Sequence, residues 1–141
     1  MGGISVTDSQ EAGAAVGTVL VVDDDADLRE SIEAALTSCG HGVATAADGS
    51  EALDWMKNQG RPCVVLLDLM MPGMNGFELR SKMAADPGLS TIPVVIITGA
   101  GVLADRRANE LRAEVLRKPI ELSTLLQTVK RFCKGLAFRT S

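Results

Sequence analysis

Asp23-Asp24-Asp25, Asp68, Thr98 and Lys118 are the side chains best suited to do chemistry together, and each ends or follows a stretch of apolar residues. Carboxylates held close repel one another, so they require a cation among them or raised pKa values. Oxygen-only ligands suit Mg²⁺, which keeps several waters and is commonly held by one or two carboxylates plus phosphate oxygens. A hydroxyl and an ammonium add hydrogen bonds to the remaining oxygens of a phosphoryl group. The set therefore contains what transfer of a phosphoryl group to a carboxylate requires. Taken singly, each member is weak evidence: an Asp run after a strand is usually a turn or a helix cap, and a Lys-Pro pair is usually a loop. Joint placement carries the weight.

That placement depends on the elements between them. Residues 19–22, 63–67 and 94–97 are short continuous apolar runs rich in β-branched residues, as strands buried on both faces should be. Weaker strands are expected at 42–46 and 113–117. Leu28, Ile32, Ala35, Leu36 and Cys39 follow i, i+4, i+7, i+8, i+11, and Leu122, Leu125, Leu126, Val129 and Cys133 repeat the pattern, which predicts a first and a last helix. Asp48 with Glu51, and Asn75 with Glu78, have capping-box spacing for two more. A further helix is expected near 102–111. Strand and helix alternate five times, and right-handed crossovers then give a parallel sheet with helices on both faces. The carboxyl ends of such strands share one edge, where ligands bind. Three carboxylates, a hydroxyl and an ammonium should thus converge there.

At 141 residues the chain is the size of one domain, expected at 18–134 between a leader, 1–17, and a tail, 135–141. Hydrophobic residues at 46% and charged residues at 23% fit a globular protein. No apolar stretch reaches the roughly 20 residues of a spanning helix, and the N-terminus lacks the basic and apolar regions of a secretory signal, so no membrane insertion is expected. Cys39, Cys63 and Cys133 are odd in number, far apart and in no CxxC spacing, so neither a disulfide framework nor a zinc site is indicated. A reducing cytoplasm fits that reading. Residues 1–100 hold 5 Lys/Arg against 14 Asp/Glu and residues 101–141 hold 9 against 4, an asymmetry that can mark a partner-binding face. Aromatic residues are 3% with no Tyr, so no stacking platform for single-stranded nucleic acid exists and direct nucleic-acid binding is not expected.

The stretches VLVVDDDADLRE, VVLLDLMMPGMNGFEL, PVVIITG and LRKPI resemble, in order and spacing, the signatures of response-regulator receiver domains over about residues 18–134. The resemblance implies a flavodoxin-like, doubly wound five-stranded parallel sheet of order 2-1-3-4-5. Matched residue by residue, it implies that Asp23 and Asp24 are the acidic pair holding Mg²⁺, Asp68 the phosphoacceptor and a further metal ligand, and the Met70 carbonyl another ligand. Thr98 is then the switch hydroxyl, Lys118 the phosphate-contacting lysine, and Gly99 the small residue beside the hydroxyl. The implied partners are a histidine kinase or phosphotransfer protein upstream and an unidentified protein target downstream, since no DNA-binding domain fits in this length. Two departures stand out. Val115 takes the place of an aromatic residue three before the Lys, and the span from Thr98 to Lys118 is about two residues short.

Rival readings leave separate marks. A calcium loop beginning at Asp23 fails because its sixth position is Leu28 and its twelfth Ala34. A Mg²⁺-dependent phosphatase with an Asp nucleophile, of the haloacid-dehalogenase type, is matched only in part by Asp23-Asp24-Asp25-Ala26-Asp27, and turnover of a phosphomonoester would identify it. A binding module that keeps the receiver fold without phosphorylation would neither bind Mg²⁺ nor accept a phosphoryl group. Neither GxxxxGK(S/T) nor GxGxxG occurs, so no nucleotide cofactor is indicated.

Overall fold

The computed structural model describes residues 17–69, 71, 75–99 and 113–138, with side chains described as far as Cys133. Five parallel strands form one sheet in the order β2-β1-β3-β4-β5. They are β1 (Thr18–Val22), β2 (Gly42–Ala46), β3 (Val64–Asp68), β4 (Val94–Thr98) and β5 (Glu114–Arg117). Four described helices accompany them: α1 (Ala26–Ser38), α2 (Gly49–Gln59), α3 (Gly76–Ala85) and α4 (Leu122–Phe138). The helix expected at 102–111 lies outside the described residues, as does Met70.

Side-chain alternation along the central strands explains why their sequences are apolar throughout. Leu20, Val22, Val65, Leu67 and Ile96 face α2 and α3, where Ala52, Met56, Leu79 and Met83 complete one core layer. Val19, Val21, Leu66, Val95 and Ile97 face α1 and α4, where Ile32, Leu36, Leu125 and Val129 complete the other. Each fully buried residue of this size contributes about 1.5–3 kcal/mol of transfer free energy. The two strands with weaker sequence signals, β2 and β5, are the sheet's edges, and their partial exposure removes the need for a continuous apolar run.

Local hydrogen bonds set the helix starts. The Asp25 carboxylate caps α1, accepting from the backbone N–H groups of Asp27 at 3.0 Å and Leu28 at 3.2 Å. Asn75 and Glu78 form a complete capping box on α3. At α2 the box is incomplete: Asp48 accepts from the Glu51 N–H at 2.9 Å, but the Glu51 carboxylate accepts from Ala47 rather than from the cap residue. α4 is kinked at Cys133 (φ −119°, ψ 25°), with helical residues resuming beyond it to Phe138.

The reading of the cysteines is corrected. Cys63 and Cys133 form a disulfide between residues 70 apart in sequence, with their Cα atoms 5.6 Å apart. Cys63 immediately precedes β3, and Cys133 is the last described buried residue of α4, which packs on that face of the sheet. Sequence separation says nothing about distance once crossovers have laid these elements together. Cys39, at the end of α1, is free and exposed.

Candidate functional site

The carboxyl ends of four strands converge as their order requires. Asp23 follows β1, Asp68 ends β3, Thr98 ends β4 and Lys118 follows β5. Asp23, Asp68 and Thr98 are buried, at 0%, 3% and 1% exposure, whereas Asp24 is exposed. Asp23, Asp24 and Asp68 each offer a carboxylate oxygen within 4.8 Å of the others. The backbone joins the remaining pair: the Lys118 N–H donates to the Thr98 carbonyl at 2.9 Å. The Lys118-Pro119 peptide is cis.

The Lys118 ammonium reaches back across the sheet edge into this cluster. Its Nζ lies 3.1 Å from Asp23 Oδ2 and 3.4 Å from Asp68 Oδ2. The Asp23 contact is an ion pair whose direction leaves Oδ2, a fully buried atom, without a well-formed hydrogen bond. Desolvation pulls the Lys118 pKa down, but close contact with Asp23, the charges of Asp68 and Asp23 and the hydrogen bond to Asp68 outweigh it. The net result is a pKa above the ordinary lysine value.

The three consecutive aspartates divide their tasks in a way their identical chemistry conceals. Asp23 Oδ1 accepts from the Asp25 N–H at 2.9 Å, which leaves Oδ2 turned to Lys118. Asp25 is occupied by the α1 cap. Asp24 is left at the mouth of the site, within ligand distance of the other two.

Two supporting residues went unnoticed in the sequence. Arg29 Nη1 donates to the Asp23 carbonyl at 2.6 Å and so fastens the acidic loop to the first turn of α1. A cation in a helix's first turn opposes the helix dipole, and that mismatch was the available signal. Gly76 lets the start of α3 abut the end of β3. A Cβ there would stand 2.5 Å from the Asp68 carbonyl oxygen and 2.8 Å from Leu69 Cα, so any side chain would push on the backbone that carries Asp68. Gly99, expected to leave space beside Thr98, also makes room for the Lys118 side chain, whose Cβ would lie 3.2 Å from an added methyl group. Val115 is half-buried and packs against the α2/α3 core layer.

The chain matches the model of the response regulator receiver domain over residues 19–130. It is 33% identical over 119 residues to protein PilH of Pseudomonas aeruginosa, covering 83% of this chain and 98% of that protein. To a probable transcriptional regulator, ycf27 of Guillardia theta, it is 38% identical over 125 residues, covering 85% of this chain but 48% of the relative, so it spans about half that protein's length. Among solved structures, the chemotaxis protein CheY4 of Vibrio cholerae superposes with a TM-score of 0.74 at 32% identity, covering 84% of this chain and 99% of the other. Family match, sheet order and the meeting of carboxylates with a lysine at three strand ends agree: the chain belongs to the response regulator receiver family, the phosphoacceptor domains of two-component signalling.

Proposed function

We propose that Asp68 accepts a phosphoryl group from a phosphohistidine of a histidine kinase or phosphotransfer protein. One observation carries this reading: three carboxylates share a site with the Lys118 ammonium at the edge of the sheet where ligands bind. An Asp68 carboxylate oxygen attacks phosphorus, the P–N bond breaks, and the imidazole leaves with the bonding electrons. Lys118, protonated at neutral pH, and the Thr98 hydroxyl hold the new phosphoryl oxygens. Asp23, Asp24 and Asp68, together with the Met70 carbonyl, would hold Mg²⁺, and the poorly satisfied Asp23 Oδ2 supports that fit. When bound, Mg²⁺ supplies charge neutralisation on the transferred oxygens.

The chemistry ends on the chain itself, which then signals as a two-state element to a protein target in the cytoplasm. Val115 has no ring to rotate, so the change runs through the backbone around Thr98 and Lys118. Intact-mass measurement after incubation with acetyl phosphate tests the reading, with and without Mg²⁺, on wild type and Asp68→Asn. The expected result is one added phosphoryl group on wild type with Mg²⁺ and none on the folded variant. Labelling of Asp68→Asn would move the acceptor elsewhere, and no labelling of wild type would favour a phosphorylation-independent module.

A further inference from the structure

The Cys63–Cys133 pair lies outside the phosphoacceptor site and is joined to it through a single strand. Cys63 precedes β3 and Asp68 ends it, so about 16 Å of extended chain separates sulfur chemistry from carboxylate chemistry. The Cα separation of 5.6 Å is within the range a disulfide spans without backbone movement. Of the partners, Cys133 is buried at 3% exposure and Cys63 is half-buried, so an attacking thiolate meets the Cys63 sulfur first.

The reduced state also has a place in this fold. Cys63 Sγ lies 3.4 Å from the Thr18 carbonyl oxygen, which can accept a thiol proton, and the Cys63 N–H already donates to that oxygen at 2.9 Å. Cys133 sits in the apolar layer of α1 and α4, where a thiol packs as a small hydrophobe. Both oxidation states are thus accommodated by one backbone. Where small thiols keep a compartment reducing, a disulfide of this kind is transient and redox-responsive.

We propose that Cys63 and Cys133 are a reversible thiol–disulfide modification site. Its oxidised form fastens α4 to the start of β3, and its reduced form loosens that hold while leaving Asp68 able to take a phosphoryl group. The oxidant is a small-molecule disulfide. The Cys63 thiolate attacks one of its sulfurs and releases the first small thiolate; the Cys133 thiolate then attacks the Cys63 sulfur of the mixed disulfide and releases the second. Two protons pass from the protein thiols to the departing thiolates, the protein loses two electrons, and the small disulfide gains them.

The effect is on stability. The cross-link closes a loop containing Asp68, Thr98 and Lys118, and so restrains the unfolded chain between residues 63 and 133. The inference stands independently of the phosphoacceptor reading, because the two are measured separately. The full chain is equilibrated in glutathione disulfide or in reduced glutathione, then denatured and alkylated with iodoacetamide for intact mass. Thermal melting and acetyl phosphate labelling are run in parallel.

In the oxidising buffer Cys63 and Cys133 should take up neither an alkyl group nor glutathione, while the exposed Cys39 carries one or the other, and in the reducing buffer three alkyl groups are expected. The Tm should fall by roughly 10 °C on reduction, with labelling of Asp68 retained in both buffers. Cys63→Ser should melt near the reduced wild type in either buffer, and its half-buried position tolerates the exchange better than Cys133 would. Three alkyl groups in glutathione disulfide, a lasting glutathione adduct on Cys63, or a Tm indifferent to buffer would each overturn the proposal. Labelling present in one buffer and absent in the other would overturn its independence from Asp68.

Discussion

The two ends of the sheet solve opposite problems. At the carboxyl end three carboxylates crowd together, and they are held by short-range devices: the Asp25 cap, the Asx contact from Asp23 to the Asp25 N–H, the Arg29 clamp and the Lys118 ion pairs. At the amino end the Cys63–Cys133 bridge lies in an apolar layer, the charged groups beside it, Arg61 and the Arg131–Glu114 pair, are exposed, and one long-range covalent bond ties strand to helix. Crowded like charge is tolerated only where its surroundings are fixed, because each carboxylate must keep its compensating donor or cation. The apolar end needs only proximity. Function is therefore expected to follow small backbone changes at the carboxyl end, while changes at the amino end move stability alone.

The largest departure from this picture would come from Gly76→Ala. The added methyl group meets the Asp68 carbonyl oxygen and Leu69 Cα, both backbone atoms that cannot swing aside. A destabilisation of about 1–3 kcal/mol is expected, together with slower labelling by acetyl phosphate because the Asp68 backbone must shift. Denaturant melts and a labelling time course on the same preparation test both halves. Lost stability with an unaltered labelling rate would show that the site does not depend on that close approach.

A finer test separates neighbours in the acidic run. Asp25→Ala removes the α1 cap and should cost roughly 1 kcal/mol, with Mg²⁺ affinity largely kept. Asp24→Ala should leave the melt almost unchanged and weaken Mg²⁺ binding severely, as titration followed by NMR or calorimetry would read. Equal losses of affinity in the two variants would mean that cap and ligand roles are not divided as the hydrogen bonds suggest.

The smallest effect concerns pH. The Lys118 pKa is raised in the folded state, so its contribution to stability is complete below the unfolded lysine value, about 10.4, and is lost as pH rises through the higher folded value. Lys118→Met should flatten the alkaline limb of a stability-against-pH curve and leave its slope near neutrality alone. A wild-type curve that stays flat as pH rises above about 10.4 would remove the ion pairs from the stability account.

How much could be read in advance differs between the same two ends. The central strands were legible because a parallel sheet covered on both faces demands unbroken apolar runs, and the candidate site residues because Asp23, Asp68 and Thr98 stand at the ends of those runs and Lys118 follows the weaker β5. Asp23, Asp68, Thr98 and Lys118 each occur within one or two residues of a strand end, so local pattern and fold topology together place them at one edge. The weaker signals of β2 and β5 are a property of edges, which contribute to both core layers but are only partly covered. Asp23, Asp24 and Asp25 could not be told apart, since nothing in their order says which side chain the helix start will capture.

What residue order by itself determined was periodicity, capping and the sequence of elements, all of which rest on interactions within a few residues. What only the tertiary structure decided was contact across long separations. The approach of Gly76 to Asp68, the reach of the Lys118 ammonium to Asp23, and the meeting of Cys63 with Cys133 are of this kind. Such contacts arise from the way crossovers stack helices on a twisted sheet, and an interatomic distance set by packing has no counterpart in the linear spacing of the residues that meet.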